Sequence, residues 1–171
     1  MKYIFFSALL FTLSFGDIFS MNSFEADFTQ VVTNEKGNRL KYTGHIKAMK
    51  PQYALWEYRK PSTKFIYVNK NRVMIIEPDL EQVIVKELHN SIDFFKIIKN
   101  ATKIDKYTYT TNLQSVQYTI HISDSQLKSI EYKDQLDNSV SIDFTNHIIN
   151  KNMDAKEFTL TIPLNYDVIN G

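Results

Sequence analysis

Apolar and polar residues alternate along almost the whole chain beyond Ser23, and a period of two confines such a chain to half-buried antiparallel strands. Phe24, Ala26 and Phe28 share one face, as do Leu40, Tyr42, Gly44, Ile46 and Ala48. Val116, Tyr118, Ile120 and Ile122 repeat the pattern, then Val140, Ile142 and Phe144, then Phe158, Leu160 and Ile162. Between these runs lie Glu35-Lys36-Gly37-Asn38, Asn69-Lys70-Asn71, Asp124-Ser125-Gln126 and Asp137-Asn138. Asn and Asp tolerate the positive φ that tight hairpins demand. Strands spaced so regularly describe one large antiparallel sheet, a sandwich or a barrel. No linker, low-complexity stretch or internal repeat marks a second domain.

One stretch departs from the rule. Asn90-Ser91 is a candidate N-cap for a helix over residues 92–100, in which Ile92, Phe95 and Ile98 lie three apart with Phe94 and Ile97 beside them. A short helix this apolar must lie on an apolar surface. Against a sheet that is both concave and apolar it is a plug or a lid. The 12 Phe and 10 Tyr suit either a well-filled core or, collectively, an open barrel whose Phe, Ile, Leu and Trp line a ligand cavity.

The N-terminus reads as an export signal. Lys2 precedes an apolar run from Tyr3 to Phe15, followed by Ser14 and Gly16 at signal-peptidase spacing with Asp17 just beyond. The run is shorter than the roughly 20 residues a membrane-spanning helix needs. The expectation is a cleaved signal over 1–16 and a single domain over 17–171; cleavage after Ser20 and an uncleaved anchor are the alternatives. Loss of Lys2 brings the 20 Lys+Arg level with the 19 Asp+Glu. A neutral, dispersed balance excludes the basic face of a nucleic-acid binder and a polybasic membrane module. With no cysteine, an exported chain has no disulfides and no residue for lipidation of its mature N-terminus.

Catalytic patterns are missing. Beyond the signal only Gly37, Gly44 and Gly171 remain, too few for a phosphate-cradling loop. His45, His89, His121 and His147 are scattered without metal-ligand spacing, and no G-x-S-x-G elbow or thiol nucleophile is present. Asp134/Asp137 and Glu77/Asp79/Glu81 flank turns or alternate along a strand, where carboxylates meet water. The chain is expected to be no enzyme and to need no cofactor.

An ordered set of landmarks carries a family resemblance. Ser23-Phe24-Glu25-Ala26-Asp27-Phe28-Thr29-Gln30 is followed by Gly44-His45-Ile46-Lys47-Ala48-Met49-Lys50-Pro51, then Trp56, Tyr58, Pro61 and Pro78-Asp79-Leu80-Glu81-Gln82. In that order the landmarks resemble the periplasmic outer-membrane lipoprotein carrier family, LolA. Asp154-Ala155-Lys156-Glu157-Phe158-Thr159-Leu160-Thr161-Ile162-Pro163 looks like the family's closing strand.

The resemblance implies a mainly β fold, an incomplete (open) antiparallel β-barrel covered by short lid helices. It implies a carrier that takes triacylated lipoproteins from an inner-membrane ABC-type releasing complex and brings them to the outer membrane, often to an anchored receptor. Such a carrier is a periplasmic monomer that makes no covalent bonds. The acyl cavity and lid fall on Phe28, Ile46, Trp56, Phe94, Phe95, Ile97 and Ile98. Lys50 stands where the family carries an Arg that latches the lid, and a lysine offers the charge without the planar fork. An exposed Lys ahead of a turn proline is the alternative. Ala54 replaces an aromatic common at the mouth and implies a wider opening. The family's N-terminal lid helix has little room between Asp17 and Ser23, so Ile18, Phe19 and Met21 form a single lid turn or that helix is absent. A lipid- or lipoprotein-sensing module on the same scaffold is the alternative function.

Overall fold

The computed structural model describes residues 18–87 and 93–171. The expected signal peptide, His89, the Asn90-Ser91 cap and Ile92 lie outside them.

The described residues form one twelve-stranded sheet. Its first meander comprises β1 (Ser23–Thr33), β2 (Arg39–Met49), β3 (Tyr53–Lys60), β4 (Lys64–Asn69), β5 (Arg72–Glu77) and β6 (Gln82–Glu87). The second comprises β7 (Thr102–Lys103), β8 (Thr108–Leu113), β9 (Val116–Ser123), β10 (Gln126–Lys133) and β11 (Ser139–Ile149). A last strand, β12 (Asp167–Asn170), adds to β6 in parallel. The strand order is β12-β6-β5-β4-β3-β2-β1-β11-β10-β9-β8-β7, so the long pair β1–β11 joins the two wings. The outer strands, β12 and β7, do not pair with each other, and the barrel stays open.

The alternation sets the faces. Across the first wing Phe28, Gly44 and Tyr58 fall in one row, with Ala26, Ile46, Trp56 and Ile66 in the next. The row Gln30, Ile142, Ile130 and Ile120 continues the same face across the second wing. This inner face holds the main apolar cluster, in which Phe24, Ala26, Ile46, Ala48, Ile120 and Leu127 are fully buried. Gly44 is required by close approach. A Cβ there would lie 2.1 Å from the Glu57 carbonyl oxygen and 2.6 Å from the Phe28 ring.

The turn residues behave as their chemistry demands. Lys70, Asp124, Ser125 and Asp137 have positive φ, as does Gly37 at +79°. Gln114 and Ser115 make one more such hairpin, without the Asn or Gly signal that would betray it.

Two expectations need correction. The helix α1 (Phe94–Lys99) starts two residues later than expected, because Asp93 rather than Asn90-Ser91 caps it. Its carboxylate accepts from the amides of Phe95 at 2.9 Å and Lys96 at 3.3 Å, satisfying donors that the helix itself leaves free. The second correction concerns Phe158, Leu160 and Ile162, which alternate without forming a strand. Ala155–Phe158 is a 3₁₀ turn closed by a capping box between Asp154 and Glu157, followed by irregular chain. The closing strand is β12 instead. The period of two survives because Leu160 and Ile162 pack on the outer face of the first wing, against Met74, Ile76 and Val83. An apolar alternation thus records a partner surface rather than a ladder.

Candidate functional site: a lidded apolar cavity

Topology places the lid. Strand β6 and strand β7 lie at or near opposite margins of the sheet, so the chain between them must cross the open side. Helix α1 sits in that crossing. It packs against β8 and against the 3₁₀ turn Ile18–Ser20, in which Ile18 is buried. A single turn is therefore what Ile18 and Phe19 contribute, and Phe19 packs its ring 5.2 Å from Tyr109. On the inner face, Phe94 lies 5.2 Å from the Phe24 ring and 6.5 Å from Phe144. Phe94, Phe95, Ile97 and Ile98 are all buried, leaving Lys96 and Lys99 to solvent.

Beneath the helix is a cavity of about 330 Å³ lined by both wings. Trp56, Ala54, Ile66, Val68 and Val73 form one wall, and Tyr118, Ile130, Tyr132 and Ile142 form the other. Phe94, Phe95 and Ile97 roof it. Four of the residues expected at the site thus meet there: Trp56, Phe94, Phe95 and Ile97. Phe28, Ile46 and Ile98 sit one layer back in the packed core. Phe28 supports the wall, its ring edge-on to Trp56 at 5.2 Å and to Tyr58 at 5.1 Å. Ligand pockets run from roughly 300 to 1,000 Å³, so the volume is at the small end, with lid side chains occupying the space above it.

Lys50 ends the β2 side of the β2–β3 turn with its amide bonded to the Asn22 carbonyl at 2.9 Å. Its ammonium lies 5.7 Å from the centre of the Phe95 ring. It therefore touches the lid through the face of an aromatic ring. Such a contact is worth about 0.5–1 kcal/mol where water has access.

Gln52, Tyr53 and Asp93 also line the cavity, and sequence reasoning missed a further group of tyrosines there. Tyr58, Tyr118 and Tyr132 line it beside Gln30. Tyr58 donates to the Gln30 side-chain Oε1 at 2.9 Å, and the Tyr118 and Tyr132 rings lie 5.2 Å apart. Burial raises the pKa of all three phenols, that of Tyr132 to about 12, so each is protonated at physiological pH. Lys64 lies beside Tyr58, its ammonium 4.7 Å from that ring centre and 6.0 Å from that of Tyr42. The signal was strand parity: Tyr58 shares a face with Trp56, Tyr118 with Ile120, and Tyr132 with Ile130.

The outer face carries charge. Glu25 and Asp27 flank His45, with ring nitrogens 3.1 Å and 2.8 Å from their oxygens, and Lys151 reaches Glu25 at 2.6 Å. His147 turns its Nε2 to the Leu127 carbonyl at 2.6 Å. Among the described residues no cluster of His, Cys, Asp or Glu is arranged to hold a metal ion.

An open β-barrel with a short helix over an apolar cavity defines a carrier of apolar cargo, and sequence relatives make the family specific. The family described as "Outer membrane lipoprotein carrier protein LolA" matches residues 20–115. An outer-membrane lipoprotein carrier protein of Campylobacter jejuni is 40% identical over 94% of this chain and 96% of its own length. One of Helicobacter hepaticus is 34% identical over 96% of this chain and 92% of its own. The chain belongs to the outer-membrane lipoprotein carrier (LolA) family. A Thermus thermophilus protein of unknown role shares the fold, with a TM-score of 0.55 and 11% identity over 90% of this chain and 93% of that one.

Proposed function

We propose that this protein is a periplasmic carrier that binds the acyl chains of lipoproteins released from the inner membrane and delivers them to the outer membrane. The lidded apolar cavity is the observation that supports this reading, together with the carrier function named for relatives that match nearly the whole chain. The mature form runs over 17–171 after removal of the signal. An ABC-type releasing complex loads it, and an outer-membrane receptor or the membrane itself unloads it. No reaction is catalysed.

Release is the physical difficulty. Burying acyl chain is worth about 0.8 kcal/mol per CH₂, so one palmitoyl-sized chain represents roughly 11 kcal/mol. Binding that strong needs an opposing term if cargo is to leave. The lid supplies it, because Phe94, Phe95 and Ile97 already fill the upper cavity and must be displaced by the incoming chain. Net affinity is then a difference of two burial terms, and a slightly more apolar acceptor can draw the cargo onward. Lys50 adds a small restraint on the closed lid.

Native mass spectrometry tests this after the mature protein is incubated with ATP and inner-membrane vesicles carrying a triacylated lipoprotein and the releasing complex. A soluble one-to-one complex is expected. Phospholipid bound in place of lipoprotein would move the function to lipid shuttling or sensing, and an empty protein would overturn carriage.

A further inference from the structure

The chain's charges balance in number, yet the fold does not spread them evenly between the two ends of the barrel. The β2–β3, β4–β5, β7–β8 and β9–β10 turns lie at the end that α1 closes, and the β1–β2, β5–β6 and β10–β11 turns lie at the other. The lid end gathers Lys50, Lys70, Lys96, Lys99, Lys103 and Lys106 against exposed Asp105 and Asp124. At the other end the turns carry Glu35, Asp79, Glu81, Asp134 and Asp137, with basic residues on the strands that border them. Lys47, Lys133 and Lys151 each reach a carboxylate, whereas none of the lid-end lysines does so among the described residues. Asp105 turns into its own hairpin, accepting from the amides of Tyr107 and Thr108 at 2.9 Å each. The outer segment sets Lys151 and Lys156 against Asp154 and Glu157 and leaves the balance unchanged.

The β7–β8 hairpin joins this charge to apolar surface. Ile104 is 63% exposed and Tyr107 46%, with Lys103 and Lys106 beside them in the chain. The Lys103 ammonium lies 5.9 Å from the Tyr109 ring centre, and that of Lys106 lies 4.8 Å from the Tyr107 ring centre. A tyrosine and an isoleucine set among lysines match a bilayer surface, where apolar groups enter the headgroup layer and ammonium groups stay with the lipid phosphates. Leu80 and Leu136 at the other end are as exposed, but Asp79 and Glu81 flank the first and Asp137 the second, and an anionic surface repels them.

We infer that the lid end, led by the β7–β8 hairpin, docks on an anionic phospholipid surface. The inference deepens the acyl-carriage reading, on which its purpose rests, by naming the surface at which cargo changes hands. Because α1 packs against β8, docking through this hairpin sets the roof of the cavity beside the bilayer. Each lysine at such a surface contributes roughly fivefold to partitioning, so the contact is reversible, as a shuttle requires.

Co-sedimentation of the mature protein tests this, with phosphatidylglycerol–phosphatidylethanolamine vesicles compared with phosphatidylcholine vesicles. Wild type is expected to partition onto the anionic vesicles at least about tenfold more strongly and to lose that preference in about 1 M salt. Lys103→Gln/Lys106→Gln should weaken anionic binding on the order of twentyfold. Ile104→Ser/Tyr107→Ser should weaken it by about tenfold. The matched change at the other end, Lys36→Gln/Leu136→Ser, should leave it as in wild type. These side chains are exposed, so every variant should melt near the wild-type temperature. Equal partitioning of wild type onto both vesicles, no binding to either, or wild-type binding by either hairpin variant overturns docking. Calorimetric titration with a soluble diacylglyceryl peptide separates this from carriage, and the hairpin variants should bind the peptide as wild type does. Peptide binding without vesicle binding overturns docking and leaves carriage standing. Salt-sensitive vesicle binding without peptide binding supports docking and overturns carriage.

Discussion

The lid helix and the C-terminal segment are both short stretches laid on apolar sheet, one inside the barrel and one outside, and they are fastened very differently. Helix α1 has a cap at Asp93, ring contacts through Phe94 and one cation over Phe95, with a cavity beneath it. The outer segment has Phe158 fully buried against Tyr53, a capping box, and an ion pair from Glu157 to Lys47 at 2.8 Å. It then runs on as four residues of parallel ladder on β6. When α1 lifts it gives up the burial of Phe94, Phe95, Ile97 and Ile98, but an acyl chain entering the cavity beneath can replace those contacts, whereas nothing replaces the filled interface under the outer segment. A helical apolar arc thus covers the inner face above a cavity, while an apolar alternation covers the outer face with no cavity beneath it.

Breaking the outer cover should have the largest effect. Phe158→Ala is expected to destabilise the fold by about 3–5 kcal/mol in urea unfolding, as for a large ring removed from a packed site. The folded fraction should still bind acyl ligand. Loss of binding without loss of stability would show that the outer segment belongs to the carrier machinery and would dissolve the contrast.

Phe95→Glu attacks the inner cover. A carboxylate over the cavity is desolvated, so a stability loss of about 1–3 kcal/mol is expected. Ligand affinity should change by far more than in Phe158→Ala. Calorimetric titration with a diacylglyceryl peptide measures it, and wild-type affinity would mean that α1 is not the lid.

Acid should loosen the outer face before the inner one. Burial raises the Glu25 pKa, but hydrogen bonds from Lys151 and His45 outweigh it and leave the carboxyl below its usual 4.5. Hydrogen bonds from Asn146 and His45 hold Asp27 below 3.8, and one from Lys47 holds Glu157 below 4.5. A carboxyl with a lowered folded-state pKa gives its full stabilisation above the unfolded value and loses it as pH falls through the folded one. Stability should therefore decline as pH drops below about 4.5. In Lys47→Met that decline should shrink by no more than about 1 kcal/mol, because the pair is partly exposed. A thermal melt series from pH 7 to 3 reads this out, and an unchanged acid slope in the variant would remove Glu157 from the account.

The smallest effect is expected from Lys50→Leu. Thermal stability should shift by less than about 1 kcal/mol, while amide exchange in α1 quickens. A larger stability loss with unchanged exchange would make Lys50 a structural residue of the β2–β3 turn.

Much of the site was legible from parity and landmarks. Trp56, Phe94, Phe95 and Ile97 line one cavity because an inward position on β3 and the apolar arc of α1 face the same concave surface. Phe28 and Ile46 were harder to assign, since inward parity does not distinguish a cavity wall from the layer behind it. Phe28 falls behind the wall because its ring packs over Gly44 and edge-on against the cavity-lining Trp56 and Tyr58. Tyr118 and Tyr58 were placed by parity and as a landmark but not at the cavity, because a phenol reads as core or surface with equal ease until its neighbours are known.

Local chemistry therefore determined the strands, most of their turns and the presence of one greasy helix, since side-chain alternation and φ preferences act over a few residues. Tertiary structure decided the rest. It sent the Phe158–Ile162 alternation to the outer face instead of into a ladder, set β12 parallel on β6, and moved the helix cap to Asp93. It also gathered Tyr58, Tyr118 and Tyr132 from three strands to one end of the cavity. Those outcomes depend on which distant surface is left uncovered once the sheet has curved, and no local pattern carries that information.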